Sequence, residues 1–231
     1  MKWTIRTVVI LGLGVILALV LRTIRETPNN PFVSWIYTDK VEASAHCAAN
    51  LRELLSAVEI VGVDSSPYAC FMDQQKPGEK IMSILGPEEK VDLIETRYIK
   101  DRKFLSCPQG GLYRVGATAA YCSKHGLMPW STKARSFVAG KDGVYEAEGE
   151  KWFVGPDFIL HIKGDYLSFD SKGIHFDMRS RDYRSGERGI YISGSNLTVA
   201  LDNGRKDTVA IANLRFFKQL QEAIEPFLQK R

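Results

Sequence analysis

Cys107-Pro-Gln-Gly-Gly-Leu-Tyr-Arg-Val-Gly116, followed by Tyr121-Cys122-Ser-Lys-His125-Gly126, is the stretch on which the reading of the fold turns. Gly110 and Gly111 free the backbone for a tight turn, and Tyr113 and Val115 fall on one face of the strand that follows. Two cysteines therefore bracket a glycine-turned β-hairpin, a geometry that suits a staple between Cys107 and Cys122. A disulfide closing a loop of about fifteen residues would contribute roughly 3 kcal/mol in the chain-entropy model. Two alternatives stand beside it. One is a metal site with Cys107, Cys122 and His125 as ligands and Cys47 or His46 as the fourth; the other is a set of free thiols. Cys47 and Cys70 offer a second bridge, against a buried free thiol on a helix.

Working outward to the N-terminus, Thr7 to Leu21 carries no charge, and Trp3, Ile5 and Ile24 extend the apolar zone towards the ~20 residues that cross a bilayer as a helix. Arg6 and Arg22 can snorkel to the two interfaces. Leu21-Arg22-Thr23-Ile24-Arg25 lacks a small-x-small cleavage site, so the expectation is an uncleaved signal-anchor over residues 1–25, with the lipid bilayer as partner through residues 3–24. Lys2 and Arg6 before the helix balance Arg22 and Arg25 after it, so charge barely sets the orientation. Four cysteines, two of them on a hairpin, fit an oxidising compartment and place residues 26–231 in a periplasm or cell exterior.

Thr27-Pro-Asn-Asn-Pro31 reads as a stop signal that opens a linker over 26–37. Val41, Ala45, Ala48, Leu51, Leu54, Leu55 and Val58 then recur at helical spacing from about Thr38 or Asp39 to Ile60. Residues 65–80 read as a surface loop holding Cys70, and Pro87-Glu-Glu as the start of a helix to Tyr98. Gly126 to Ala134 reads as a connector between domains over 38–128 and 132–231. Short β runs follow: 136–138, 143–146, 158–162, 166–169, 173–178, 190–192, 197–201 and 208–211. Asp202-Asn-Gly is the strongest hairpin signal among their turns. Asn213 caps a closing helix in which Phe217, Leu220, Ile224, Phe227 and Leu228 form a stripe, and Pro226 should end its regular hydrogen bonding. The expected class is α+β: an N-terminal membrane helix, a small α/β head, and a mainly antiparallel β domain closed by a C-terminal helix.

The pattern CPQGGLYRVG…YCSKHG resembles the C-terminal hairpin of type IV pilin-like and pseudopilin-like globular heads, in which a C-P-x-G-G-x-Y…C-S-x-H-G pattern recurs. His46-Cys47-Ala-Ala-Asn50-Leu51-Arg52, with Leu54, Ala57 and Val58, is similar to the C-x-x-N-x-R helix of those proteins, and Leu93-Ile94-Glu95…Tyr98-Ile99-Lys100 to the segment leading into their hairpin. The resemblance covers residues about 40–126. Met1-Lys-Trp-Thr-Ile-Arg lacks their prepilin-peptidase site, and Pro28 and Pro31 interrupt the helix, so it implies a pilin-like head on a plain membrane anchor. The C-terminal half resembles a pleckstrin-homology-like barrel in the order of its elements only.

A chain of 231 residues with 45% hydrophobic content can bury a proper core, and a formal charge of +4 with interspersed signs gives no nucleic-acid footprint. Ser185-Gly-Glu-Arg-Gly189 lacks the lysine and helix of a phosphate loop, so no cofactor is expected. His161 and His175 read as half-exposed sheet positions rather than catalytic groups. Arg179, Arg181, Tyr183, Arg184 and Arg188 form a candidate site for an anionic ligand, although Asp177, Asp182 and Glu187 are placed to neutralise it. The expected role is a membrane-anchored, extracytoplasmic, non-catalytic structural or interaction protein with a protein partner, such as an accessory component of a pilus-like or secretion apparatus. The alternatives are a ligand-binding module for lipid, peptide or glycan built on the β half, and a metal-dependent enzyme using Cys107, Cys122 and His125.

Overall fold

Cys47, Leu51, Leu54, Leu55, Val58 and Val61 recur at three- and four-residue intervals and line the buried side of helix α1, Pro31–Asp64. The computed structural model describes residues 31–64, 71–74, 76, 82–84, 90–93, 97–130, 137–171, 174–180, 188–202 and 204–228. The expected anchor over 1–25 lies outside them, as does Cys70; among the described residues no helix is long and apolar enough to cross a membrane. Helix α1 begins seven residues before the expected Thr38, within the stretch read as a linker. Proline is tolerated in a first helical turn, where its missing N–H would have had no partner.

Ala45–Arg231 pack as one compact unit. Its first sheet has the order β1-β4-β5-β6, built from Met72–Asp73, Tyr113–Val115, Ala119–Cys122 and Gly126–Pro129. Every pairing in it is antiparallel. A separate two-stranded ribbon joins β2 (Met82–Ile84) to β3 (Lys90–Asp92). This corrects the helix expected from Pro87: Lys90–Asp92 is extended, with its backbone groups satisfied across the ribbon rather than along a helix. The first four residues of the stretch read as a connector, Gly126–Pro129, form strand β6.

The second half is a six-stranded antiparallel meander of β7 (Gly140–Lys141), β8 (Val144–Ala147), β9 (Glu150–Val154), β10 (Phe158–Lys163), β11 (Tyr166–Ser171) and β12 (His175–Arg179). A three-stranded sheet follows: β13 (Gly189–Ser193), β14 (Asn196–Ala200) and β15 (Lys206–Ala210). Helix α2, Leu214–Ile224, closes the half, capped by the Asn213 side chain, which accepts the Phe216 N–H at 3.1 Å. The helix passes into a 3-10 turn at Glu225–Phe227, where Pro226 ends the regular pattern.

Phe153, Leu160, Leu167, Phe169 and Phe176 of the large sheet meet Ile190, Leu197 and Val199 of the small one, together with Phe216, Phe217, Leu220 and Ile224 of α2, in one core. On its other face the large sheet places Tyr145, Trp152, Val154 and Ile159 against Phe71, Ala119 and Leu127. Burial on both faces explains why Phe158-Ile-Leu is a continuous apolar run rather than an alternation. Phe71, Ala119 and Leu127 thus share a buried cluster with the large sheet.

Polar contacts reinforce that junction. Arg114 donates to the Gly155 carbonyl and pairs with Asp73 at 2.8 Å. Asp170, fully buried, accepts the Ala117 N–H at 3.1 Å and the His175 Nδ1–H at 2.7 Å. Burial opposes charging of His175, but the hydrogen bond and attraction from Asp170 outweigh it and leave its pKa raised. A raised folded-state pKa means a stabilisation that is complete below the unfolded value of about 6.5 and is lost as pH rises through the folded value. His175→Gln should thus lower the urea midpoint relative to the native chain more at about pH 5.5 than at about pH 9. An equal gap at both pH values would show that the ion pair does not contribute in this way.

Candidate functional site

Cys107 follows a 3-10 turn, Arg102–Leu105, whose cap is Asp101: its carboxylate accepts the Lys103 N–H at 2.9 Å. Two buried amides hold this turn in place. Asn50 on α1 donates to the Ser106 carbonyl at 2.8 Å, and Gln74 donates to the Leu105 carbonyl at 2.7 Å while accepting the Tyr113 N–H at 3.0 Å. The chain then reverses, with Gly110 N–H bonded to the Cys107 carbonyl at 2.9 Å and Gly110 in the left-handed region at φ +69°. Cys122 ends β5 opposite Tyr113, and the turn to β6 is closed by His125 N–H on the Cys122 carbonyl at 3.2 Å.

These elements deliver the sulfurs of Cys47, Cys107 and Cys122 and a ring nitrogen of His125 to one spot, all within 4.8 Å of one another. His125 Nδ1 lies 3.5 Å from both Cys107 Sγ and Cys122 Sγ. Its ring stacks on Phe137 at 5.4 Å, and its buried Nε2 has no hydrogen-bond partner. The Tyr113 hydroxyl donates to Cys47 Sγ at 3.5 Å and is itself approached by Asn50 Nδ2 at 3.4 Å. His46, beside Cys47 in the chain, points to solvent and takes no part.

The three thiols are free, so the expected Cys107–Cys122 staple is absent from the structure and a four-donor cluster occupies its place. Their proton affinities diverge. Cys122 is pushed down to about 5, chiefly because Cys47 donates a hydrogen bond to it, with help from the backbone N–H groups of Lys124 and His125. Cys47 is correspondingly pushed up by that bond and by burial. Burial raises Cys107 despite backbone donors from Gln109 and Gly111. Burial and the bond to Cys47 likewise raise the Tyr113 phenol, which keeps it a donor. The hydrogen bond from Cys47 thus favours the charged form on Cys122 over Cys47.

Arg188 of the candidate anion site lies over the Phe176 ring, donates to the Asp177 carbonyl at 2.6 Å and pairs with Asp202 at 3.4 Å. Arg179 is exposed at the end of β12, and Arg181, Tyr183 and Arg184 lie outside the described residues. Arg188 is therefore already neutralised by protein groups.

The half-exposed reading of His161 is corrected. It is buried on β10, with Nε2 bonded to Glu150 at 2.8 Å and its ring stacked 4.8 Å from Trp152. Trp152, His161 and Ser168 stand side by side across three strands, and Trp152 Nε1, His161 Nδ1 and Ser168 Oγ are all buried without a hydrogen-bond partner. Burial holds the His161 pKa down, so this is a neutral polar row. Sequence reasoning missed it together with strand β9, and it also missed Asn50 and Gln74 as clamps; a polar residue inside an apolar helical stripe was the available sign for Asn50.

No family model, curated protein or solved structure matches the chain.

Gly111 is where the cluster constrains the sequence most sharply. A Cβ there would lie 2.5 Å from Cys122 Sγ and 3.2 Å from Cys107 Sγ, whereas one at Gly110 would meet nothing within 4 Å. Gly111→Ala should destabilise the chain by about 1–3 kcal/mol through overpacking, and Gly110→Ala by only about 1 kcal/mol through its positive φ. Urea titration of both variants checks the order, and a Gly111→Ala chain as stable as the native one would contradict the placement of the two sulfurs.

Proposed function

We propose that this chain is a non-catalytic structural or interaction protein, anchored in a bilayer through residues 3–24 with the bulk of the chain outside the cytosol, and accessory to a pilus-like or secretion assembly. The observation that carries the non-catalytic part is the closure of the thiol cluster. Cys47 and Cys122 are 0% exposed and Cys107 5%, so the convergent nucleophilic groups offer no face to a substrate. The cluster instead joins a helix, a turn and a hairpin, which is the work of a fastener. The neutralised Arg188 favours this reading over the anion-binding module.

The anchored part rests on the charge-free run from Thr7 to Leu21. The outside-facing part loses its argument from a bridged hairpin, because the thiols are free. It draws on the resemblance of α1 and the cysteine hairpin to pilin-like heads, which also suggests assembly with a protein partner.

Fractionation of cells expressing the full chain, followed by protease treatment of intact spheroplasts, tests both parts. The expected result is recovery in a carbonate-resistant membrane pellet and digestion by protease added from outside. Recovery in the soluble fraction would remove the anchor, and digestion only after lysis would reverse the orientation.

A further inference from the structure

We propose that Cys47, Cys107, Cys122 and His125 form a tetrahedral site for a zinc-class divalent ion that fastens helix α1 to the hairpin. This deepens the reading of a structural cluster and stands whichever side of a membrane the chain faces, so metal content and membrane fractionation can fail separately.

The donor set is the first reason. Three thiols and one imidazole nitrogen, with no carboxylate among them, suit zinc and its thiophilic analogues and not calcium or magnesium, which take oxygen. The spacing is the second. Zn–S bonds of about 2.3 Å and a Zn–N bond of about 2.0–2.1 Å give a tetrahedron whose sulfur–nitrogen edges are about 3.5 Å and whose sulfur–sulfur edges are about 3.8 Å. Both sulfur–nitrogen separations from His125 Nδ1 to Cys107 and Cys122 are 3.5 Å. A disulfide needs its sulfurs at about 2.05 Å, uses two of the four donors and leaves Cys47 and His125 without a role.

The surroundings are the third reason. Cys107 Sγ receives backbone N–H groups from Gln109 and Gly111, Cys122 Sγ receives those of Lys124 and His125, and Cys47 Sγ receives the Tyr113 hydroxyl. Each sulfur thus has donors outside the cluster of the kind that hold and tune metal-bound thiolates. Gly111 leaves beside Cys107 and Cys122 the space that any side chain would fill. On binding, each cysteine still carrying a proton releases it to solvent, and each sulfur and His125 Nδ1 forms one bond to the ion. Four protein ligands complete the tetrahedron, so the site is structural and has no open position for a substrate.

The test is made on the full chain, purified in detergent without chelators. Elemental analysis should find about one zinc per chain, and replacement by cobalt should give the intense visible and near-ultraviolet absorption of a tetrahedral thiolate complex. Native-state alkylation of Cys47, Cys107 and Cys122 should be slow, should accelerate when a chelator is added, and should slow again on returning zinc. Cys122→Ser and His125→Ala should each weaken zinc binding by at least about tenfold. If either variant fails to fold, the cobalt spectrum of the native chain with and without chelator decides the matter alone. Native chain that takes up neither zinc nor cobalt and is alkylated at the same rate with and without zinc would overturn the proposal. So would a Cys107–Cys122 disulfide peptide in a non-reduced digest.

Discussion

Helix α1, the turn before Cys107 and the β4–β5 hairpin have few backbone hydrogen bonds in common, and what brings them to one place is the meeting of Cys47, Cys107, Cys122 and His125 beside Gly111. Asn50 and Gln74 work for the same end, because each satisfies a carbonyl of the turn that carries Cys107. Buried amides of this kind are costly unless satisfied, and here they are, so they fix one arrangement of helix and turn rather than merely filling space. The apolar stripe of α1 then has a defined surface to cover, in one cluster with Val115, Ala120 and Met128 of the sheet and with Leu93, Ile99 and Leu105.

The rest of the molecule is built against that head through a sheet covered on both faces. Trp152 and Ile159 face the head, while Phe153 and Leu160, their neighbours in the chain, face the small sheet and α2. Asp170 marks the junction in polar terms. A Cβ on Gly116 would come within 2.7 Å of its carboxylate, so the head's hairpin turn and strand β11 approach as closely as backbone and side chain allow.

Legibility in the sequence followed the number of faces an element buries. The C-terminal helix could be read from Asn213, its stripe and Pro226, because one face is wet and the pattern shows. Strands β13 to β15 were legible for a similar reason: β14 alternates Leu197 and Val199 inward with Asn196 and Thr198 outward. Strand β9 was not, since Glu150, Trp152, Phe153 and Val154 are all buried and no period of two survives. Lys90–Asp92 was read as helix because Pro87-Glu-Glu has the sequence of a helix start, whereas the strand pairs with Met82–Ile84. For the cluster, the hairpin cysteines and His125 were visible as a group and α1 was expected to supply the fourth donor, but the choice between His46 and Cys47 depended on which face of the helix is buried, and that is Cys47.

The long separation in sequence between Cys47 and the hairpin donors bears on how the protein is made. Emerging from a ribosome, α1 presents Leu51, Leu54, Leu55 and Val58 well before the chain reaches Cys107, and its apolar side is only partly covered until the hairpin through His125 has been synthesised. During that interval the nascent helix is an adhesive surface, vulnerable to its own neighbours on the polysome, and only arrival of the last donor turns it into an interior.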